Sequence, residues 1–292
     1  MRVLPGPSVS GPIVAPLVPR EPNAPRGWPA KKKKAEILFV SDSSSGILMY
    51  DPTTPNASPE GSITTGVDVP SGVAVDKHGA LYVANEGNNS VTVYPAGSSS
   101  PSLTISSGIS GPYGVAVDSS GDVFVSNLNT NDITAYKSGA TSPYETINFG
   151  AYGQAVGLGV DAKDNIFVAC DSSNGVFEIA AGGTSVTNAG LTGLNGPIGV
   201  SLGKKDVIYV SNFAAQNVNI YSYGSTSPSK TITSGIEQYG PTLNGFTSKG
   251  AFFQSNQADN VVGYKNGQTS LFSTLSGASS PLGIASSPLV KK

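Results

Sequence analysis

A short apolar segment that ends in a small polar residue recurs along the chain, and its spacing restricts the possible folds more than any other feature. The copies are Leu38–Asp42, Leu81–Asn85, Val123–Asn127, Ile166–Cys170, Ile208–Asn212 and Phe252–Asn256. Their last residues lie 42 to 44 positions apart. A repeat of about 40 residues is typical of folds in which one supersecondary unit is copied around an axis or along a stack. We therefore predict six equivalent structural units.

Each unit contains four short strand-like segments, which are most regular between residues 70 and 107. The segments there are 72–76, 81–85, 91–94 and 102–105, and Gly, Asn, Asp or Pro residues separate them. Strands of this length between such turns indicate antiparallel sheet. Four strands in every period describe one blade of a β-propeller. The predicted fold is therefore all-β, a six-bladed β-propeller of four-stranded antiparallel blades.

The two ends of the repeat region complement each other. The segment from Ser280 to Ala285 matches the opening strand of the other repeats, yet no further strands follow it. The first repeat, which begins at Glu36, lacks that opening strand. We predict that residues 281–287 supply the innermost strand of blade one and close the ring, because closure removes free sheet edges.

Turn residues recur at equivalent places in the repeats. Gly97, Gly139, Gly182, Gly224 and Gly267 occupy one such place, where a residue without Cβ can adopt a positive φ. Asp76, Asp118 and Asp161 end the first strand of their repeats, and each is predicted to cap the following turn through backbone amides.

The first 35 residues differ from the repeats in composition. They hold eight of the 21 prolines and a run of lysines at 31–34. Such a segment cannot bury enough apolar surface to fold. We predict a disordered Pro-rich and Lys-rich arm over 1–35 and a propeller over 36–292. The lysine run is interpreted as solvated, although acidic lipids or nucleic acid are alternative contacts.

Charge and cysteine content exclude several function classes. The formal net charge is −2, and Arg2, Arg20 and Arg26 all lie in the arm, so no guanidinium is available in the repeats to bind phosphate. We expect no nucleic-acid partner. Cys170 is the only cysteine, which excludes an intrachain disulfide and a cysteine-based zinc cluster.

Hydropathy and the N-terminal sequence bear on localisation. No run of about 18 apolar residues exists, so we expect no membrane span. Prolines interrupt the first 20 residues, which therefore lack a secretory signal. The expectation is either an intracellular protein or, if a signal peptide lies upstream of Met1, an extracytoplasmic or secreted one.

The segments at 70–85 and 112–127 share the pattern P-x-G-V-A-V-D-x-x-G-x-(L/V)-(Y/F)-V-(A/S)-N, which resembles the NHL repeat. The resemblance implies the propeller fold. It does not imply one activity, because NHL-type propellers include protein- and RNA-binding modules, extracellular sensors, lyases and the neighbouring gluconolactonase-like hydrolases. The abundance of Ser, Gly and Asn resembles that of bacterial exported propellers of unassigned function.

Polar residues after the second strands are predicted to surround one mouth of the central channel. They are Asp42, Asn85, Asn127, Cys170 with Asp171, Asn212 and Asn256. These side chains have the chemistry to coordinate Ca²⁺ or hydrogen-bond a sugar, or alternatively to bond the backbone amides of their own loops. Departures from the repeat are better indicators of function, and these are Glu86, Cys170 with Asp171, and the aromatic Tyr113.

Enzymatic chemistry receives little support from these residues. The sole histidine, His78, lies in a turn predicted at the opposite face from Cys170, which excludes a Cys–His pair. Propeller lyases use several histidines. The gluconolactonase-like resemblance implies a metal held by Glu, Asn and Asp, and here Asp171, Asn127 and Asn212 match only part of that set. We therefore expect no cofactor, with Ca²⁺ as the alternative.

Two functional hypotheses follow. The first is a monomeric, non-catalytic binding or scaffold propeller whose polar rim contacts a protein, peptide or glycan. The second is a metal-dependent lactonase-like hydrolase centred on Asp42, Asn127, Asp171 and Asn212.

Overall fold

The computed structural model describes residues 36–237, 240–257 and 260–287. They form a ring of six sheets, each with four antiparallel strands, as predicted. The predicted Pro-rich and Lys-rich arm, residues 1–35, lies outside the described residues. Within the described ranges, no helix has the length and apolar character needed to cross a bilayer.

Strands are numbered in chain order, and each blade contains four of them from the channel outward. The innermost strands are β4 (Pro70–Val75), β8 (Pro112–Val117), β12 (Ala155–Val160), β16 (Pro197–Leu202), β20 (Pro241–Phe246) and β24 (Pro281–Ser286). The second strands are β1 (Leu38–Asp42), β5 (Leu81–Asn85), β9 (Val123–Asn127), β13 (Ile166–Cys170), β17 (Ile208–Asn212) and β21 (Phe252–Asn256).

The third strands are β2 (Gly46–Tyr50), β6 (Ser90–Tyr94), β10 (Asp132–Tyr136), β14 (Gly175–Ile179), β18 (Asn217–Tyr221) and β22 (Asn260–Tyr264). The outer strands are β3 (Gly61–Ile63), β7 (Leu103–Ile105), β11 (Glu145–Asn148), β15 (Val186–Asn188), β19 (Lys230–Ile232) and β23 (Leu271–Leu275). A 3₁₀ turn, Lys204–Asp206, connects β16 to β17.

The ring closes through the two ends of the repeat region. Strand β24 pairs antiparallel with β1, so that Leu38 lies opposite Ser286 and Val40 opposite Ile284. Blade one therefore has the order β24-β1-β2-β3, with its innermost strand taken from the C-terminal end of the chain. This confirms the predicted closure.

Tyrosines at the ends of the third strands fix the connections between blades. Tyr50, Tyr94, Tyr136, Tyr221 and Tyr264 are all fully buried. The hydroxyl of Tyr94 donates to the carbonyl of Thr65 at 2.8 Å, and that of Tyr136 donates to Ser107 at 2.8 Å. Each hydrogen bond connects the third strand of a blade to the segment that leads into the innermost strand of the same blade. The aromatic ring of the tyrosine meanwhile packs in the core. A buried phenol needs such a partner.

The predicted turn chemistry is also present. Asp76 Oδ1 accepts hydrogen bonds from the backbone amides of His78 and Ala80, both at 2.8 Å. Asp118 and Asp161 cap their turns in the same way. The glycine at the β6–β7 turn, Gly97, has φ of +81°, which a Cβ would make unfavourable.

Candidate functional site

One mouth of the channel lies where innermost strands begin and second strands end. Pro70 pairs with Asn85 and Pro112 with Asn127, so the loops after the second strands meet at this end of the ring. We call this end the upper mouth. His78, in the β4–β5 turn, is exposed at the opposite end.

Five of the predicted rim residues are buried beneath the upper mouth. Asp42, Asn85, Asn127, Asn212 and Asn256 each have 0% exposure. The side-chain oxygens of Asn85 and Asn127 accept hydrogen bonds, both at 3.0 Å, from the backbone amides of Asp68 and Ser110, which precede the innermost strand of the same blade. Of the two roles left open by the sequence, Asp42, Asn85, Asn127 and Asn212 perform the one of bonding backbone amides. Asn256 Nδ2 donates to the carbonyl of Gly235 at 2.8 Å, and its Oδ1 has no partner among the described residues. Their part in binding a ligand stays a prediction.

Asp42 holds the ring closure together. Its Oδ2 accepts hydrogen bonds from the backbone amides of Ser279 at 2.7 Å and Ser280 at 2.8 Å, just before β24. Its Oδ1 accepts from the amides of Ser44 and Ser45. Burial alone raises the pKa of this carboxyl, but the hydrogen bonds from Ser280, Ser44 and Ser279 together hold the pKa below its ordinary value. The carboxylate is therefore stabilised by folding.

An Asp42→Asn variant is expected to lose about 3 kcal/mol of unfolding free energy near neutral pH, because an amide nitrogen would face two backbone donors. A lowered pKa in the folded state stabilises the fold at pH above the ordinary value and loses that contribution as pH falls through the folded value. The difference between the two proteins should therefore shrink below about pH 4. Urea titrations across pH measure it, with Glu178→Gln as the control. A pH-independent difference would contradict this role for the carboxylate.

Three departures from the repeat differ from the buried amides. Glu86, Tyr113 and Asp171 are half-buried at the upper mouth, and within the described ranges their side chains make no hydrogen bond or ion pair. Burial raises the pKa of Glu86 and of Asp171. Burial and the nearby Glu86 charge raise the pKa of Tyr113. These polar groups therefore have bonding capacity that the protein itself does not use.

The side chain of Cys170, unlike those three, is not accessible at the upper mouth. It is fully buried in a core cluster with residues such as Val168 and Phe177. Burial raises the pKa of its thiol to about 12, so the nucleophilic thiolate is disfavoured. Cys170 thus packs as a small apolar residue in the core and does not face the mouth.

The predicted metal set divides into free and engaged groups. The carboxylate of Asp171 is unengaged, whereas Asn127 Nδ2 donates to Asp132 at 2.9 Å and Asn212 Nδ2 donates to Asn217 at 2.9 Å. The side-chain oxygens of both asparagines already accept a backbone amide. A cation at this set would have to share those oxygens, and Ca²⁺ binding here stays a prediction.

The channel wall contains glycines that serve close packing of the blades. A Cβ on Gly72 would lie 2.4 Å from the carbonyl oxygen of Tyr113, and one on Gly157 would lie 2.4 Å from that of Ile198. A Cβ on Gly114, Gly199 or Gly283 would likewise lie 2.5 to 2.6 Å from a carbonyl oxygen of the neighbouring blade. Neighbouring innermost strands can approach this closely only because the side chain is absent.

Blade six breaks this pattern in ways that the sequence interpretation missed. Leu243 takes the place of the channel glycine, and its Cδ2 would lie 3.0 Å from a Cβ on Gly157, two blades away. Asn244 takes the place of an aliphatic residue, and Gln254 that of a valine in the second strand. Aligning Thr242, Leu243 and Asn244 with the other opening strands would have revealed the substitutions.

These substitutions create a buried polar network. Ser211 Oγ donates to Gln254 Oε1 at 2.6 Å and accepts from Asn244 Nδ2 at 2.6 Å. Gln254 Nε2 donates to the backbone carbonyls of Thr242 and Leu243, both at 3.2 Å. All three polar side chains are at least nine-tenths buried. The network joins blades five and six beside the channel.

One segment of the chain matches a known family model. Residues 68–94, which cover most of blade two, match the NHL repeat. The described residues form a six-bladed β-propeller, and one segment of it matches this repeat. No curated protein matches the sequence of the chain.

Solved structures share its fold at low sequence identity. One is a chain of a structure described as a nidogen/laminin complex; it is 13% identical with a TM-score of 0.73, and the match covers 86% of this chain and 98% of that chain. A protein of unknown function from Bacteroides caccae is 12% identical with a TM-score of 0.65, covering 87% and 99%. Virginiamycin B lyase from Staphylococcus aureus is 12% identical with a TM-score of 0.54, covering 91% and 84%.

Proposed function

We propose that the chain is a non-catalytic binding propeller whose upper mouth contacts a protein, peptide or glycan. The observation that carries this proposal is the set of unengaged side chains at that mouth. Glu86, Tyr113 and Asp171 interrupt the repeat at the upper mouth. The side-chain oxygens of Asn85, Asn127 and Asn212, in contrast, already accept hydrogen bonds from loop backbone amides. Surface groups that do not stabilise their own fold are the groups available to a partner.

The chemistry of these three residues favours a ligand rich in hydrogen-bond donors. Two carboxylates accept hydrogen bonds, and a tyrosine offers an aromatic face with a polar tip. Sugar hydroxyls, backbone amides and lysine side chains of a partner all meet this requirement. The structural likeness to a chain of a structure described as a nidogen/laminin complex supports a protein partner.

A matched pair of variants tests the proposal. The mouth variant combines Glu86→Gln, Tyr113→Phe and Asp171→Asn. The control combines Tyr144→Phe and Glu145→Gln, which remove a tyrosine hydroxyl and a carboxylate at the end of the channel opposite the upper mouth. Tyr144 is 46% exposed there. Both proteins are applied to glycan and peptide arrays beside the wild type.

We expect the mouth variant to lose at least tenfold in affinity, or about 1.4 kcal/mol, for any ligand that the wild type binds. The control should retain the wild-type affinity. The mouth variant should fold normally, because raised carboxyl pKa values mean that the charged forms are disfavoured in the native state. Equal losses in both variants, or none in the mouth variant, would refute the assignment of the mouth.

The alternative is a metal-dependent hydrolase centred on Asp42, Asn127, Asp171 and Asn212. The unengaged carboxylate of Asp171 is the observation in its favour. Stoichiometric Ca²⁺ binding by the wild type, measured by calorimetry and abolished in Asp171→Ala, would support this alternative over the scaffold. An extracytoplasmic or secreted location stays a prediction.

A further inference from the structure

A cavity lies between blades five and six, near the end of the ring opposite the upper mouth. The β16–β17 turn, which is equivalent to the turn that contains His78, borders it. The volume of the cavity is about 200 Å³, and Tyr209, Ile220 and Phe246 supply its apolar wall. The rings of Tyr209 and Phe246 pack edge to face, with their centroids 4.8 Å apart. Pockets for drug-sized ligands measure about 300 to 1,000 Å³, so this cavity suits a smaller molecule.

Two lysines of blade five line the cavity and reach across to blade six. The Nζ of Lys204 donates to the backbone carbonyl of Lys249 at 3.2 Å, and the Nζ of Lys230 donates to that of Gly267 at 2.6 Å. An ammonium group carries several N–H donors, and each lysine uses only one of them on a carbonyl. None of the described carboxylates lines the cavity or forms an ion pair with either lysine. The charge at this site is therefore positive and uncompensated.

The cavity between blades three and four occupies the equivalent place and has the opposite charge. Three carboxylates of blade three line it, namely Asp118, Asp122 and Glu145. In blade five the residues at these positions are neutral or basic, namely Gly203, Val207 and Lys230. The acidic cavity also holds a cation of its own, because the Nζ of Lys137 lies 2.7 Å from the carboxylate of Asp122. Blade five has Ser222 in place of that lysine, so a side chain of this kind does not occupy the basic cavity.

Tyr209 carries a hydroxyl group that blade five does not use. Tyr209 is 4% exposed and lines the cavity, and its hydroxyl has no hydrogen-bond partner among the described residues. Unlike Asn256 Oδ1, this oxygen is not enclosed by the protein. In blade two, burial and the carboxylate of Asp76, which accepts a hydrogen bond, raise the pKa of the equivalent Tyr82. Gly203 replaces that aspartate in blade five. A mostly buried phenol ordinarily has an acceptor, and a ligand in the cavity would supply one.

We propose that this cavity binds a small organic carboxylate with an apolar or aromatic body. Lys204 and Lys230 neutralise the carboxylate, and the hydroxyl of Tyr209 donates to it. The body of the ligand packs against Ile220 and Phe246. The two lysines disfavour a cation, and inorganic phosphate would leave the apolar wall without a contact. This site lies at the other end of the ring from the upper mouth and does not depend on the function proposed there.

Titration of the full-length, ¹⁵N-labelled protein tests the ligand class. The probes are phenylacetate, hexanoate and the neutral phenylacetamide, and amide chemical shifts report both the site and the affinity. We expect the two carboxylates to shift the amides of the residues that line this cavity. Phenylacetamide should bind about tenfold more weakly than phenylacetate or worse, because it lacks the charge that the lysines neutralise. Equal affinities for these two probes, or no shift with either carboxylate, would overturn the proposal. So would inorganic phosphate that binds as tightly as phenylacetate.

The Gly203→Asp variant restores the turn carboxylate of blades two, three and four. Gly203 has φ of −86°, which any residue adopts, and an added Cβ would lie 3.1 Å from the Phe246 ring, so only a small shift of that ring is required. The new carboxylate should accept the hydroxyl of Tyr209 and repel the ligand, and phenylacetate binding should be lost. Lys205→Gln is the matched control, since Lys205 belongs to the same turn but does not line the cavity. It should bind phenylacetate as the wild type does.

The Tyr209→Phe variant tests the hydroxyl without a change of charge. Blades three and four already have phenylalanine at this position, Phe124 and Phe167, so the variant should fold. We expect about tenfold weaker binding of phenylacetate with no loss of unfolding free energy, because the hydroxyl has no protein partner to lose. Unchanged affinity in both Tyr209→Phe and Gly203→Asp would refute the site.

Discussion

A chain truncated after Ser280 should fail to fold into a cooperative native state. The truncation removes β24, which is the innermost strand of blade one and pairs along β1. Leu38 and Val40 of β1 are fully buried, and the lost strand would expose the edge and face on which they pack. Total stability is only about 5 to 15 kcal/mol for most proteins, so the loss of one inner strand is sufficient to unfold the ring.

The consequence extends beyond blade one because the closing strand also contacts both neighbouring blades. A Cβ on Gly245 of β20 would lie 2.5 Å from the carbonyl oxygen of Ile284. A Cβ on Gly283 would lie 2.5 Å from the carbonyl oxygen of Ser71 in β4. Without β24, blades two and six each lose a packing partner. The unpaired edge of β1 also becomes a site for aggregation.

Thermal unfolding followed by circular dichroism measures the effect. The control is a truncation after Ser287, which removes only residues 288–292 and should keep the wild-type transition. A truncated chain that lacks 281–292 but still melts in one sharp transition would contradict closure of the ring by β24. Restoration of folding by an added peptide of residues 281–287 would further support it.

The architecture was predictable because the residues that form the strands and turns of each blade are close together in the sequence of one repeat. The endings at Asn85 and Asn127, the turn aspartates and the positive-φ glycines each follow from short-range chemistry that a single sequence contains. Ring closure was also predictable, since the segment at 281–287 had no other strands to pair with. The structure confirms both the blade count and this pairing.

The site was less predictable because exposure depends on packing between blades. Asn85 and Glu86 are adjacent in sequence, yet the first is fully buried and engaged while the second is unengaged at the surface. Sequence alone left both as rim candidates. Asn244 and Gln254 could not be assigned a role from the repeat pattern, because they depart from it. Their polar network forms by contact between blades five and six, and a single repeat does not contain that contact.

The largest single-residue effect is expected for Gly157→Ala. A Cβ there would lie 2.4 Å from the carbonyl oxygen of Ile198 and 3.0 Å from Leu243 Cδ2. Leu243 could rotate, but the carbonyl belongs to the backbone of β16, so the contact can be relieved only by separating blades four and five. Overpacking typically costs about 1 to 3 kcal/mol and occasionally more, and this contact with rigid backbone should reach about 3 kcal/mol or above.

Gly97→Ala separates this steric effect from the effect of backbone conformation. Gly97 has φ of +81°, and nothing lies within 4 Å of its added Cβ. Its substitution should cost only about 1 to 2 kcal/mol, the usual penalty for a left-handed residue with a side chain. Urea unfolding of both variants gives the comparison. If Gly97→Ala is the more destabilising of the two, the channel glycines are not required for close approach of the blades.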